Sequence, residues 1–596
     1  SLKPPHLHLL LDGSLGRVMT KEATEPAAQI DKPAGDEAPP NVKEGLAEVL
    51  PVNAKRQDGK SDVFYNPAQV FNRDMSVLVL SVFAKLRSEE ATAKWEKRAA
   101  ERKASGKPAV EGVNHADRGL KVLEALAATG IRTIRYAKEL PSGPGGLRRI
   151  VANDLDANAV EHMKRNFAHN GLELGERVEA VNGCANSHMY TRRAKGAGGL
   201  GQEAYDVIDL DPYGSVAPFI DSAIQAVGDG GLLCITSTDM PVLGGNHPET
   251  CFARYGGAAL KAGYVHELAL RLVLHAFATT AARYGREVRP LLCCSIDFYV
   301  RLFVRVYDSP ARAKRHASKS GVVHQCVQCE SFFVQKFGEV DEGKDVKYKP
   351  AKVTTPGTEC PECGGRLKIG GPFHLGPLYD SDFLQRCLQA CSEERLSELP
   401  GITSWKKITG LITAMSEEHE ELALYYKLPN LCKALKVNQV PLRQFRGTLA
   451  SLGYLVSHFH REPQAIKTDA PNEVVFDLIR LWAEEHPPTH CPFPEMLKKP
   501  LTLQRPVEWK TEPEGERSKK VAKFLPNPQP NWGPKPRARS AGLANEGGGE
   551  EGAEAKKRRA EETPVKEESG EQKMTDVKPE NLEAGLSAGP AATPPL

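Results

Sequence analysis

The residues whose types and spacing most clearly suit a chemical reaction directly follow a short apolar run at 205–210. Tyr205 to Leu210 is typical of a buried strand, and Asp211, Pro212, Tyr213 and Gly214 follow it directly. A carboxylate and a backbone carbonyl can accept the two hydrogens of an exocyclic amine on a nucleobase, while an aromatic side chain stacks on the ring. Such positioning can supply much of a rate enhancement. The alternative is a type I turn with Pro at its second position and Gly at its fourth.

Two neighbouring strand ends predict a nucleoside site. The segment "EALAATGIR" (124–132) ends the first predicted strand, and Gly130 opens a helix whose backbone N–H groups could approach a ligand. Asp154 ends the second strand, where an acid can bind the ribose hydroxyls. The alternatives are an ordinary strand-to-helix turn at Gly130 and a helix cap at Asp154, although Asp156 could supply that cap instead.

An electrophile beside a nucleoside site indicates S-adenosylmethionine as the cofactor. In this layout Cys184 and Ala185, after the third strand, would flank an adenine ring, with a plain polar loop as the alternative. Arg73, after the segment "FYNPAQVFN" that we predict to be extended, could bind the cofactor carboxylate or form a surface salt bridge. Arg132 lies in the first turn of a helix, where the dipole disfavours a cation unless an anion is near.

These residues need a sheet that brings strand ends together, and the first half of the chain predicts one. Apolar strand segments alternate with amphipathic helices, at 120–126, 148–154, 177–182, 205–210 and 231–238, and residues 291–307 supply one further pair or one bent run. Alternation of this kind predicts an α/β fold with a mostly parallel sheet and right-handed crossovers. Ligands then bind beyond the carboxyl ends of the strands.

Two C-x-x-C pairs in the second half predict a metal site. Cys326 and Cys329 form the first pair, and Cys360 and Cys363 form the second. Four thiolates at such spacing suit a tetrahedral structural zinc, which would hold a small ribbon together. The alternative is a set of free cysteines in the core.

Residues 440–471 resemble a helix followed by a β-wing, as in winged-helix nucleic-acid modules. Basic side chains would line one face of this segment, and such a face can bind phosphates. The alternative is an ordinary solvated face. The predicted basic face consists of Arg443, Arg446, His458, His460, Arg461 and Lys467.

Composition sets the outer limits. Among 596 residues the net charge is only +3, so any basic surface must be local. No apolar run is long enough to cross a membrane, and the scattered cysteines favour reduced thiols in an intracellular protein.

Residues 1–45 and 501–596 have the composition of disordered segments, and "KKRR" at 556–559 is a candidate nuclear signal. Between them we predict a catalytic domain at 46–315 and a second domain at 316–500, with the ribbon at 322–375.

Several segments together resemble the tRNA guanine-N2 dimethyltransferases that act on guanosine 26. The matching segments, in the order of that family, are "VFYNPAQVFNRDMSV" (63–77), "VLEALAATGIRTIRYAKE" (122–139), "VANDLD" (151–156), "DVIDLDPYGS" (206–215), "GGLLCITSTDM" (230–240) and "TCFARYGGAALK" (250–261). The resemblance implies a class I, Rossmann-like methyltransferase sheet plus a C-terminal α+β domain with a zinc ribbon and a winged-helix-like part. It implies successive transfer of two methyl groups to one guanine N2.

The same resemblance implies roles for individual residues. The cofactor contacts would come from Arg73, Arg132, Asp154, Cys184 and Ala185, and Asp211 would act as the catalytic acceptor beside Pro212 and Tyr213. Cys184 stands where many family members have an acid, so a thiol would replace a carboxylate beside the adenine amine.

The expected cofactors are S-adenosylmethionine and structural zinc, and the expected partner is tRNA, with neither a membrane nor an obligate protein partner. The expected location is the nucleus, the mitochondrion or both, with the cytoplasm as a further compartment. Two other functions stay open from sequence: an amino methyltransferase acting on another base or on protein, and a zinc-ribbon RNA-binding protein with an inactive methyltransferase-like domain.

Overall fold

The structure is a computed structural model that describes residues 41–51, 65–106, 108, 118–195, 204–343, 345–392, 397–503, 507–512 and 521–525. All of these lie in one compact unit, Ser1–Arg539. The predictions for residues 1–40 and for the basic run at 556–559 fall outside the described residues.

Strands and helices alternate in the first half, as predicted. The strands are β1 (Val42–Glu44), β2 (Ala47–Val49), β3 (Leu120–Glu124), β4 (Leu147–Asp154), β5 (Val178–Asn182), β6 (Tyr205–Leu210), β7 (Val227–Ser237), β8 (Arg286–Ile296), β9 (Tyr299–Asp308), β10 (Ser320–Cys326), β11 (Phe332–Lys336), β12 (Gly338–Asp341), β13 (Lys347–Pro350), β14 (Leu367–His374), β15 (Tyr426–Lys427), β16 (Val456–Phe459) and β17 (Glu462–Thr468). The helices are α1 (Val70–Ala104), α2 (Ile131–Glu139), α3 (Ala157–His169), α4 (Ala185–Tyr190), α5 (Ile220–Ala226), α6 (Met240–Leu243), α7 (Pro248–Tyr255), α8 (Val265–Arg283), α9 (Pro310–Ala313), α10 (Ser381–Ala390), α11 (Trp405–Ser416), α12 (Leu428–Leu435), α13 (Leu442–Ser451), α14 (Asn472–Glu485) and α15 (Pro494–Lys498).

A seven-stranded sheet of order β5-β4-β3-β6-β7-β9-β8 forms the main layer. Strands β3 to β7 are parallel, while β9 runs antiparallel to β7 and β8 antiparallel to β9. The predicted α/β class is confirmed, and residues 291–307 belong to a pair of strands rather than to one bent run. The carboxyl ends of β3, β4, β6 and β7 therefore share one edge with the turn that joins β8 to β9.

The N-terminal boundary differs from the prediction. Residues 42–44 were expected to be disordered, but they pair with β2 in a short hairpin, and Glu44 is buried. The predicted extended segment before Arg73 is also wrong from Pro67 onward, because a 3-10 turn at Pro67–Gln69 leads directly into α1. The Asn66 side chain accepts a hydrogen bond from the Ala68 N–H (2.9 Å) and so starts this turn. Arg73 is therefore helical, in the first turn of α1.

The second half contains the elements predicted for it. Strands β11, β10 and β14 form an antiparallel sheet beside the four paired cysteines, and α13 is followed by the β16–β17 hairpin, as in a helix with a wing. Apolar residues from this half, such as Phe373, Tyr379 and Phe459, are buried in the same core as the residues of the large sheet. The two halves therefore share one large hydrophobic core, and a second buried cluster lies within the second half.

Part of the predicted disordered tail is ordered on this second half. The Trp509 ring meets the Trp482 ring edge-on, with centroids 5.4 Å apart, and the Lys510 N–H donates to Thr448 Oγ1 (3.0 Å). A side chain at Gly447 would come within 2.3 Å of the Lys510 carbonyl oxygen, so the close approach of residues 510–512 requires glycine there. The predicted start of the disordered tail at 501 is therefore wrong for residues 507–512. These residues pack on the second half through contacts with residues far away in sequence, which composition does not reveal.

Across the described residues, no helix is long and apolar enough to cross a membrane.

Candidate active site and metal centre

A cavity of about 270 Å³ lies at the shared edge of the sheet. Six of the residues singled out from sequence line it: Arg73, Arg132, Asp154, Asp211, Pro212 and Tyr213. The other lining residues are Tyr65, Asn66, Gln69, Glu124, Leu126, Ala127, Ala128, Thr129, Ile131, Thr238 and Phe298. The fold thus brings the predicted catalytic segment, the predicted ribose acid and both predicted arginines to one cavity.

Asp211 is held by Arg132 on the neighbouring helix α2. The Arg132 guanidinium donates to Asp211 Oδ2, and its second terminal nitrogen donates to Ser76 Oγ (2.9 Å). Arg132 is buried, whereas the Asp211 side chain is 23 % exposed. A cation in the first turn of a helix needs a nearby anion, and Asp211 supplies that anion for Arg132.

The charges around Arg132 nearly balance. Arg301 binds Asp209 through two hydrogen bonds of 3.0 Å, and Glu124 lies 3.8 Å from Arg132 Nε. Two guanidinium groups thus face three carboxyl groups. Burial raises the pKa of Glu124 to about 8, against the opposing effect of Arg132. At neutral pH Glu124 is therefore largely protonated, and the two remaining carboxylates match the two cations.

Asp154 lines the cavity and does not cap a helix. Its Oδ2 accepts from the Ala128 N–H (2.8 Å), which fixes the turn after β3, where Ala128 has a φ of 47°. Asp156 caps α3 instead, because its Oδ1 accepts from the Asn158 N–H (2.9 Å). The alternative interpretation of Asp154 as the cap is therefore wrong.

Gly130 has a structural reason to be glycine. Its φ is 73°, and a side chain there would lie 2.6 Å from Met163 and 2.8 Å from Phe167 on α3. A bulkier residue would displace both the turn and this helix. The turn can therefore keep the start of α2 close to the cavity only with glycine at this position.

Arg73 reaches the cavity but is paired within the protein. Its guanidinium binds both oxygens of Glu44, at 2.6 and 2.5 Å, and Tyr65 donates to the same carboxylate at 3.1 Å. Burial raises the pKa of Glu44, but Arg73 and Arg135 outweigh that effect and lower it to about 2. A buried anion thus fixes the arginine at the wall of the cavity.

Cys184 and Ala185 lie apart from these groups. Cys184 is exposed and stands at the N-cap of α4, and Ala185 is the first, buried residue of that helix. Neither belongs to the described residues that line the cavity. Their predicted contact with an adenine ring stays a prediction.

Three cavity residues escaped the sequence reasoning. Glu124 is the last residue of β3, Thr238 follows β7, and Phe298 lies in the turn between β8 and β9. Glu124 could have been found from the sequence, because burying an acid at the end of a strand costs free energy unless the acid has partners. Phe298 carried none, because its place in the cavity depends on the order of the strands in space.

The four predicted metal ligands converge. The Sγ atoms of Cys326, Cys329, Cys360 and Cys363 all lie within 4.8 Å of one another. The Cys326–Cys363 and Cys329–Cys360 separations are 3.5 and 3.6 Å. A tetrahedral zinc with Zn–S bonds of about 2.3 Å requires sulfur separations near 3.8 Å, so this set of thiols fits such an ion. All of the described cysteines are free thiols.

The predicted basic face is wrong for three of its six members. Arg446, His460 and Lys467 are buried, whereas Arg443 is exposed and Arg461 and His458 are half-buried. The buried groups have protein partners: Arg446 donates to the carbonyls of Pro463 and Ala465, and Lys467 lies between Glu267 and Glu418. The positive charges in the sequence indicated a solvated, phosphate-binding surface. In the structure, Lys467 pairs with acids and Arg446 donates hydrogen bonds to carbonyls from other segments of the chain.

Comparison with known proteins assigns the family. The model of the N2,N2-dimethylguanosine tRNA methyltransferase family matches residues 47–480. The chain is 37 % identical to the tRNA (guanine(26)-N(2))-dimethyltransferase of Mus musculus, covering 91 % of this chain and 84 % of the relative. It is 33 % identical to the mitochondrial enzyme of that name from Saccharomyces cerevisiae, covering 90 % of this chain and 98 % of the relative.

A solved structure agrees with these relatives. Trm1 from Pyrococcus horikoshii in complex with S-adenosyl-L-methionine matches with a TM-score of 0.56 and 25 % identity, covering 73 % of this chain and 98 % of that one. The fold, the site at the sheet edge and these matches agree: the chain belongs to the N2,N2-dimethylguanosine tRNA methyltransferase family.

Proposed function

We propose that this chain transfers methyl groups from S-adenosylmethionine to the exocyclic N2 of guanosine 26 in tRNA, giving N2,N2-dimethylguanosine. The observation that carries the proposal is the meeting of Asp211, Pro212 and Tyr213 with Asp154 and Arg73 in one cavity. Relatives that bear the name of this activity align over most of the chain.

Asp211 and Pro212 would orient the target amine. The lone pair of guanine N2 is delocalised into the ring, so the amine is a weak nucleophile and gains much from positioning. The Asp211 carboxylate and the Pro212 carbonyl would accept its two hydrogens. Asp211 is then placed to take the proton that the nitrogen loses as it gains a methyl group.

The remaining cavity residues suit the cofactor. S-adenosylmethionine, when bound, supplies an electrophilic methyl group. Asp154 would bind the ribose hydroxyls, and Arg73 with Arg132 would face the carboxylate end. Ala127 and Ala128 keep the turn after β3 free of bulky side chains where a ligand would approach. Cys184 and Ala185 lie outside this lining, and their place beside the adenine ring rests on the family resemblance alone.

We propose that the four-cysteine cluster binds a structural zinc ion, because the sulfur separations match a tetrahedron.

We propose further that the second half contacts tRNA, through exposed groups such as Arg443 rather than through the buried Lys467 and His460. The chain would act in the nucleus, the mitochondrion or both; the yeast relative is named as mitochondrial.

The test of the proposed activity is transfer of a labelled methyl group to a tRNA that carries guanosine at position 26. A matched tRNA with inosine at that position lacks only the exocyclic amine. We expect N2,N2-dimethylguanosine from the first tRNA and no label on the second. Equal labelling of both tRNAs would place the methyl group elsewhere.

A further inference from the structure

A chain of hydrogen bonds ends on the segment that would hold the target amine. The Ser215 hydroxyl, at the end of that segment, lies 2.7 Å from the Tyr255 hydroxyl. Tyr255 is the last residue of α7 and is 1 % exposed. Its hydroxyl donates to Asp239, whose two carboxylate oxygens lie 2.9 and 3.0 Å away. None of these three residues belongs to the described residues that line the cavity.

The hydroxyl protons of this chain point towards Asp239. Burial, with Asp239 beside it, raises the pKa of Tyr255, so the phenol keeps its proton and donates it to the carboxylate. The Ser237 hydroxyl donates to the same carboxylate (2.8 Å). The Tyr255 oxygen is then left to accept from Ser215. Asp239 is therefore the anchor of the chain, and Ser215 is its outer end.

Asp239 serves this chain although it stands where an acid usually caps a helix. It is the N-cap residue of α6, but its side chain makes no capping hydrogen bond there. An aspartate at an N-cap ordinarily stabilises its own helix. The side chain, which is 6 % exposed, binds Tyr255, Ser237 and the Arg254 guanidinium (3.1 Å) instead. The position of this carboxylate is thus set by Tyr255 and its neighbours rather than by α6.

The segment that ends at Ser215 depends on fixed hydrogen bonds. It lies outside the strands and helices, and Gly214 within it has a φ of 82°. A side chain at Gly214 would meet no atom beyond its chain neighbours within 4 Å, so packing does not hold this residue. Its N–H donates to Thr238 Oγ1, and its carbonyl accepts from the Thr238 N–H, both at 2.9 Å. Glycine has the most conformational freedom to lose on folding, so such bonds are needed to order the segment.

Pro212 lies between two further ties. Arg132 holds Asp211 before it, and Tyr255 holds Ser215 after it. The Pro212 carbonyl would accept one hydrogen of the target amine, and its direction depends on the residues that follow it. A misplacement of about 1 Å can cost a reaction about 100-fold. The contact at Ser215 is therefore placed to affect the chemical step.

We propose that Tyr255 is a positioning residue for methyl transfer: its hydroxyl, anchored by Asp239, fixes Ser215 and thereby the direction of the Pro212 carbonyl at the target amine. This inference rests on the proposed function. Tyr255 touches neither the cofactor nor the base in this account. Loss of its hydroxyl should therefore slow the chemical step and leave the binding of cofactor and tRNA unchanged.

The test compares Tyr255→Phe, which removes only the hydroxyl group, with Tyr264→Phe. This matched control removes a hydroxyl that is also buried and that donates to Gln325 (2.6 Å), and neither of these residues lines the cavity. Methyl transfer is measured in a single turnover at saturating tRNA and cofactor. We expect the rate to fall about 10- to 100-fold in Tyr255→Phe and to stay at the wild-type value in Tyr264→Phe, with unchanged cofactor affinity in both.

A second variant ties the effect to one hydrogen bond. Ser215→Ala removes the other end of the contact, together with an acceptor for the Ala217 N–H (3.2 Å), so it should slow transfer at least as much as Tyr255→Phe. The double variant should be no slower than Ser215→Ala alone, because the effects of two residues in one contact do not add. Fully additive losses would show that the two residues act separately and would overturn the proposal.

Amide hydrogen exchange tests the anchoring without any turnover. In Tyr255→Phe the N–H groups of Gly214 and Thr238 should exchange faster than in the wild type, because the segment opens more often, and Tyr264→Phe should leave both unchanged. Either an unchanged rate of transfer or unchanged exchange in Tyr255→Phe contradicts the inference. If the wild-type protein does not methylate the tRNA, the proposed function fails instead, and the exchange result still decides whether Tyr255 anchors the segment.

Discussion

Lys467 offers a sharp test of how the second half is built. Sequence placed it on an RNA-binding face, but the structure buries it at 1 % exposure. Its ammonium lies 3.2 Å from Glu267 Oε1 on α8 and 3.3 Å from Glu418 Oε2. Burial raises the pKa of Glu418, but Lys467 and His460 outweigh that effect and lower it to about 2. Lys467→Met keeps the length of the side chain and leaves both acids without this cation.

The expected cost follows from the partners that remain. Removal of one member of a buried ion pair costs about 3–5 kcal/mol. Arg271 still binds Glu267 at 2.7 Å, and His460 still binds Glu418 at 2.9 Å, so we expect the lower end, about 3 kcal/mol. The assay is urea unfolding, with the loss read from the shift of the midpoint at constant slope.

Lys433→Met is the matched control, because Lys433 is exposed on α12 and the change should alter stability by no more than about 0.5 kcal/mol. A second measurement is the salt dependence of tRNA binding, which should keep its slope in Lys467→Met. The reasoning is refuted if Lys467→Met is as stable as the wild type and the slope decreases by about one, the signature of a lost phosphate contact.

Three further predictions concern the cofactor, pH and metal. Asp154→Ala should weaken S-adenosylmethionine binding at least about tenfold by calorimetry, through the loss of ribose hydrogen bonds. Asp156→Ala should cost only about 1 kcal/mol of stability, as a helix cap, with cofactor affinity unchanged. The Glu44 carboxylate, whose pKa falls from 4.5 to about 2, should contribute about 3 kcal/mol of stability above pH 4.5 that is lost as the pH falls towards 2; Glu44→Gln should flatten that loss in urea unfolding at successive pH values. Cys326→Ser should release zinc measured by mass spectrometry of metals, and Cys491→Ser, outside the cluster, should retain it.

Each of these predictions has an outcome that contradicts it. Unchanged cofactor affinity in Asp154→Ala would remove that residue from the cofactor site. An acid transition of Glu44→Gln that coincides with the wild type would show that Glu44 does not couple stability to pH. Full zinc content in a variant with all four cluster cysteines replaced by serine would move the metal elsewhere.

The sheet was predictable because its central strands, β3, β6 and β7, are largely buried. The five residues of β3 are all buried, and such a short, mainly apolar run between helical segments has few alternatives to a parallel strand. The hairpin at 42–49 was missed because its stability depends on Glu44 meeting Arg73 and Arg135, which lie far away in sequence. Local composition gives no sign of such a pairing.

Part of the site was predictable from the ends of strands, although Glu124 and Thr238, which also stand at strand ends, were missed. Asp154 and Asp211 were found because a parallel sheet brings carboxyl ends together. The bond between Arg132 and Asp211 was not predicted, because it joins α2 to the end of β6, the third strand after that helix in the chain. Arg446 and Lys467 were misplaced for a related reason: a charge in sequence is usually solvated, and only the fold shows the acids and carbonyls that compensate its burial.

The most direct test of the account is nucleoside mass spectrometry of tRNA incubated with the wild-type chain and with Asp211→Ala, together with the cofactor affinity of both proteins. The account predicts N2,N2-dimethylguanosine at position 26 from the wild type, none from Asp211→Ala, and similar affinities for S-adenosylmethionine, because Asp211 faces the target amine. It is contradicted if Asp211→Ala still forms the dimethylated nucleoside, or if its turnover and its cofactor affinity fall together by the same factor.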